Sequence, residues 1–118
     1  DRIENDDDLA AYRQRMIDRF GPVPREADEL MHVVTLRRLG KTLGCEKIML
    51  KQGVLQMQFV SNVQSPFYKS TMFSKVINYV TSHVKRCNLK EKNSKRYLRI
   101  SDIRSVEQAV EILNDMLK

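Results

Sequence analysis

Tryptophan is absent, and the 118 residues include only four glycines and three prolines. That scarcity of chain breakers, beside 42% hydrophobic and 31% charged residues, excludes collagen-like, low-complexity and disordered chains and describes a folded one. No apolar run approaches the roughly 20 residues that cross a bilayer. The acidic first residues also lack the basic-then-apolar order of a secretion signal. The expected site of action is intracellular, in the cytoplasm and away from membranes. A chain of this length forms one domain over residues 1–118, large enough for a real core and too small for a core plus a full catalytic domain.

Catalytic chemistry is equally thin. Cys45 and Cys87 stand far apart, outside any CxxC pair and among apolar neighbours, so they are expected as reduced, half-buried packing residues. His32 and His83 are the only imidazoles, and neither has a second ligand at helical spacing that would complete a metal set. Asp28, four residues before His32, suits an ordinary surface pair. No Gly-x-Ser-x-Gly elbow occurs. Gly40-Lys41-Thr42 spells the end of a phosphate-binding loop, but Thr35 replaces the required first glycine and a helical pattern surrounds it. The sequence predicts a non-catalytic chain with no catalytic residue, no metal and no cofactor.

What is present is charge, unevenly spread. Residues 1–30 carry a net −4 and residues 31–118 a net +10, making the overall +6. The densest basic stretch is 85–99, where Lys85, Arg86, Lys90, Lys92, Lys95, Arg96 and Arg99 face Glu91 alone. Such polarity steers charged partners and says little about fold.

The hydrophobic periods predict an α+β domain of order ααββαββα, with helices on one face of an antiparallel sheet. Asn5-Asp6-Asp7-Asp8 offers a cap and negative charge to a first helix over about residues 6–19, whose apolar side is Leu9, Tyr12, Met16 and Phe20. Gly21 ends it, Pro22 cannot continue it, and Pro24 suits the first turn of the next helix, giving a rigid corner. The second helix is expected to bury Ala27, Leu30, Met31, Val34, Leu39 and Leu43 and to stop at Gly44. Gly40 inside it costs up to about 1 kcal/mol against Ala, which suggests that another element packs closely there. From Glu46 the period becomes two: Ile48 and Leu50, a turn at Gln52-Gly53, then Leu55, Met57 and Phe59 make a hairpin with one oily face. A loop at 61–66 precedes a third helix over about 70–85, marked by Phe73, Val76, Ile77, Val80 and Val84. A basic hairpin follows, 87–92 and 97–100 about a turn at Asn93-Ser94. Ser105 with Gln108 opens the last helix as a capping box, with Ala109, Ile112, Leu113 and Met116 inward.

Two binding readings remain open on the residues. Lys92, Lys95 and Arg96 on the basic hairpin can neutralise phosphates, with Tyr97 to stack on a base. Equally, edge lysines can simply be a solvated face that deters sheet-to-sheet pairing.

The stretch Met16-Ile17-Asp18-Arg19-Phe20-Gly21-Pro22-Val23-Pro24-Arg25-Glu26, with Leu30-Met31 and Leu36-Arg37-Arg38-Leu39-Gly40-Lys41-Thr42-Leu43-Gly44, resembles the C-terminal domain of the bacterial transcription-repair coupling factor. The family pattern there is close to IDRFGPLPxE, then an apolar helix, then LKxxAxxLGI. Lys47-Ile48, Phe59-Val60 and Val106-Glu107-Gln108-Ala109 fall where that domain's strands and last helix fall. The resemblance implies a parent protein that is an ATP-driven DNA translocase, acts on stalled RNA polymerase, and recruits excision repair through UvrA. It further implies that this domain docks on the UvrB-like module of the same polypeptide, masks the UvrA-binding surface and restrains the motor. Carried over by position, the docking residues are Asp18 and, more weakly, Arg19. Arg15 stands where relatives often have an acid. The alternative for Asp18 is a local helix-end or turn hydrogen bond, and both roles are compatible.

Overall fold

The computed structural model describes residues 5–21 and 25–118. Pro22 and Pro24, on which the expected corner rests, lie outside the described residues. The elements run α1 (Asp6–Phe20), α2 (Arg25–Thr42), β1 (Cys45–Lys51), β2 (Val54–Phe59), a 3-10 turn (Pro66–Lys69), α3 (Thr71–Ser82), β3 (Cys87–Lys92), β4 (Lys95–Ile100) and α4 (Val106–Leu117). This is the expected α+β fold, with one addition: the loop after β2 winds into the 3-10 turn because Ser65 accepts from the Phe67 amide and Pro66 suits its start.

The helix boundaries follow from local chemistry. Asn5 Oδ1 accepts from the Asp8 amide at 2.8 Å, and Asp6, Asp7 and Asp8 sit against the positive end of α1. Gly21, at φ 86°, closes α1 by donating to the Ile17 carbonyl at 2.8 Å. Ser105 caps α4, its Oγ accepting from the Gln108 amide at 3.0 Å, while Gln108 Oε1 reaches back one residue past the cap to accept from the Arg104 amide at 2.6 Å, a variant of the capping box. α3 stops at Ser82 with His83 as its cap, earlier than expected, so Val84 falls beyond it and is 70% exposed. His83 instead stacks on Tyr79, ring centroids 3.9 Å apart.

The sheet order is β1-β2-β4-β3, all antiparallel. Asn93 and Ser94 both take the left-handed conformation, at φ 54° and 62°, which sets the tight turn between β3 and β4. Alternation puts Leu55, Met57 and Phe59 of β2 and Leu98 and Ile100 of β4 on one face, all fully buried. On that face α2 lies over β1, α3 lies beside β3, and α4 packs between the two helices. Ala109, Ile112, Leu113 and Met116 bury as expected. Each fully buried Leu, Met or Phe of this layer removes enough apolar surface to contribute about 1.5–3 kcal/mol.

The second helix departs from the expected single buried side. Its residues fall into three stripes. Leu36, Leu39, Gly40 and Leu43, the last just beyond α2, face the sheet and are buried. Asp28, Met31, Thr35 and Arg38, at helical spacing, face α1. Leu30 and Val34, expected inside, are 65% and 37% exposed. A helix touching two neighbours needs two apolar stripes, and a single-stripe reading merges them with the outward one.

Gly40 behaves as expected: a Cβ there would come within 3.3 Å of the Ile48 side chain, so its absence lets β1 lie against the helix. Gly44 carries a tighter demand. It sits at φ 90°, and a Cβ would come within 2.3 Å of the Phe67 ring. That ring belongs to an aromatic cluster with Phe59, Tyr68 and Phe73 that seals one end of the core.

Candidate functional site

Two surfaces gather the residues singled out in the sequence. The first is the helical hairpin of α1 and α2. Arg13 Nε donates to Asp28 Oδ1 at 3.0 Å and Arg38 donates to Asp6 Oδ1 at 2.5 Å. Early α1 therefore meets late α2 and the two helices run antiparallel. Leu9, Tyr12, Met16 and Ile17 are half-buried, and no described α1 residue belongs to the buried core cluster. Met31 is buried apart from that cluster, on the stripe facing α1.

Asp18, Arg19 and Arg15 are all exposed near the C-terminal end of α1. Asp18 Oδ1 accepts from Gln14 Nε2 at 2.9 Å, a bond between side chains one helical turn apart. The side chain is exposed, and a carboxylate has acceptor sites beyond the one this bond uses. On α2, Leu30 and Val34 form the exposed apolar stripe described above, continued by exposed Arg37 and Lys41.

The second surface is the sheet face opposite the helices. Alternation from the buried residues places Lys47, Met49 and Lys51 of β1, Gln56 and Gln58 of β2, Tyr97 and Arg99 of β4, and Lys90 and Lys92 of β3 on it. Glu46 is the extra residue of a bulge between Cys45 and Lys47. Its carboxylate accepts from Ser61 Oγ at 2.5 Å, from the Ser61 amide at 3.1 Å and from Gln58 Nε2 at 3.5 Å. The Ser61 hydroxyl, then the Ser61 amide, and more weakly Gln58 and the charge of Lys95 hold it below the usual glutamate range. This carboxylate is thus engaged locally.

The basic trio of the sequence is divided. Lys92 and Lys95 lie directly opposite one another across the β3–β4 turn. Arg96 alternates to the helix side, where its guanidinium stacks 4.5 Å over the Tyr68 ring and reaches Glu91 at 3.8 Å. Lys47, Lys51 and the two glutamines were not singled out from the sequence. Their period-two spacing was visible, but only the register shows that they share a face with Tyr97.

Elsewhere the titratable groups are structural. Burial pushes the Cys45 thiol up to about 12 and raises Cys87 as well, the latter opposed by Arg86, so both thiols are neutral at physiological pH. His32 Nε2 lies 3.7 Å from Asp28 Oδ2, an i, i+4 surface pair. Gly40 and Lys41 are helical, so the GKT triplet forms no phosphate loop. Among the described residues no group of three or more His, Cys, Asp or Glu side chains could hold a metal, and no helix is long and apolar enough to cross a membrane.

Fold and surfaces define an α+β domain with a helical hairpin on one side and a sheet whose second face is left open. The chain belongs to the TRCF domain family, whose profile matches residues 1–70. Among solved structures it is similar to the crystal structure of the C-terminal domain of transcription-repair coupling factor. That match has a TM-score of 0.75 at 13% identity and covers 98% of this chain and 73% of that one. A search of curated proteins returned no significant match.

Proposed function

We propose that this chain is the non-catalytic, regulatory C-terminal domain of a transcription-repair coupling factor. It docks through its α1–α2 hairpin on the UvrB-like module of the same polypeptide, covers the surface that UvrA would use, and restrains the translocase motor. RNA polymerase and DNA are partners of the parent protein. The observation that carries this reading is the position of α1, none of whose described residues joins the core cluster and which exposes Asp18 and Arg15, on a hairpin whose second helix exposes Leu30 and Val34. Exposed apolar residues and charges of both signs carried by one hairpin are the composition of a protein-docking surface. The Gln14 bond restrains the Asp18 side chain, which lowers the ordering cost of pairing it with a cation on a partner. Docking within one polypeptide can be weak and still effective, because tethering supplies a high local concentration.

Titration of the chain against an isolated UvrB-like module tests this. Saturable binding is expected, weakened about tenfold or more by Asp18→Arg, the effect of reversing a charge in a docking patch. No binding, or indifference to that reversal, overturns the proposal.

A further inference from the structure

We infer that the open face of the sheet binds single-stranded nucleic acid, on a surface separate from the α1–α2 hairpin. The register writes two rows across all four strands. One reads Lys47, Gln58, Tyr97, Lys90; the next reads Met49, Gln56, Arg99, Asn88. Lys51 lies beyond these rows at one end and the Lys92–Lys95 pair at the other. A row of four strands spans three interstrand gaps, about 14 Å, so a cation stands at each side of a central aromatic ring.

Three features favour a nucleic acid over another polyanion. First, like charges directly opposite one another are unfavourable, yet Lys92 faces Lys95 across the turn with Glu46 as the nearby carboxylate, already committed to Ser61. This is a surface in need of external anions. Second, the end of the same face opens into a cleft of about 460 Å³ whose lining includes Lys85, Arg86, Lys90 and Arg99 together with Asn88, and no carboxylate. Arg86 is fixed there by donating to the carbonyls of Ser101 and Asp102 at 3.1 and 2.8 Å. A phosphate group suits such a cleft. Third, Tyr97 stands in its row between Gln58 and Lys90, with Gln56 diagonally across on β2. A base stacked on its ring would meet Gln56, whose amide offers both a donor and an acceptor to base edges, while Gln58, directly opposite Tyr97, is buried and donates to Glu46. An acidic peptide would satisfy the lysines and leave the ring and amides without a role. An open sheet face also accepts splayed single-strand bases, which a duplex keeps stacked inside.

The test is fluorescence anisotropy of a labelled twelve-nucleotide oligothymidine with the full chain, in 25 to 200 mM salt, alongside the matching duplex and poly-glutamate. Saturable binding to the single strand is expected, falling steeply as salt rises. Lys90→Glu should weaken it at least tenfold, and Lys69→Glu, on the 3-10 turn away from this face, should not. Tyr97→Ala should weaken it about 5- to 100-fold, as loss of one stacked base does, with Tyr97→Phe restoring most of the affinity. Thermal unfolding of each variant separates misfolding from lost contacts, and the Phe variant keeps the stacking claim testable if the Ala variant does not fold. No binding at 25 mM salt overturns the inference. So does duplex or poly-glutamate binding as tight as the single strand, or a Tyr97→Phe variant as weak as Lys90→Glu.

Discussion

Glycine at positions 40 and 44 looks alike in sequence, four residues apart at the end of one helix, and the two do different things. At Gly40 the neighbour is the flexible end of Ile48, 3.3 Å from where a Cβ would stand. Adding a methyl there gains up to about 1 kcal/mol of helix propensity and costs a comparable repacking of one side chain. At Gly44 the added methyl would meet the Phe67 ring at 2.3 Å and would force a non-glycine residue to φ 90°. Overpacking and a left-handed backbone together cost about 3 kcal/mol. Chemical denaturation should therefore find Gly40→Ala within about 1 kcal/mol of the parent and Gly44→Ala destabilised by about 3 kcal/mol. The sequence made both glycines legible, the first as a close approach and the second as a helix stop. It could not show Phe67, which arrives from 23 positions further along the chain.

Among the elements, α1 is the one whose attachment differs in kind. The sheet and the other helices share a contiguous apolar core. Polar links between α1 and α2 include two ion pairs, with side-chain exposures of 47% and 37% for Arg13 and Asp28 and 21% and 72% for Arg38 and Asp6. Pairs this exposed contribute about 0–1 kcal/mol each and weaken as salt screens them. Hydrogen exchange should show α1 amides at least tenfold less protected than those of α4, with the gap widening between 0.1 and 1 M salt. Equal protection, or no salt response, would mean that the half-buried Leu9, Tyr12 and Met16 hold α1 on their own. The existence of both helices was readable from caps and spacing. The division of α2 into a sheet-facing stripe, an α1-facing stripe and an exposed stripe was not. Leu30 and Val34 satisfy a helical period as well as Met31 does, and only the neighbours distinguish them.

For the whole molecule the consequence is a body and an appendage. Among the described residues, 25–118 contain all the strands, the helices that cover them and the core cluster. A chain shortened to begin at Arg25 should keep a single cooperative unfolding transition with the sheet intact, while losing the helical signal of α1 and some stability from uncovering Met31 and Thr35. Circular dichroism through a thermal melt checks this, and loss of cooperativity would show that α1 belongs to the folding unit after all. The sequence alone determined the α+β class, the helix caps, the strand pairs within each hairpin and the charge imbalance. These are local: a cap needs its next three residues, and a hairpin needs its turn. Tertiary structure decided how β2 pairs with β4, which turns two separately legible hairpins into one open face joining Lys47 and Lys90 across Tyr97, and it sent Arg96 to the other side. Register between distant strands is set by the burial of Leu55, Met57, Leu98 and Ile100 under α2 and α4, a condition the whole chain satisfies together and no local stretch contains.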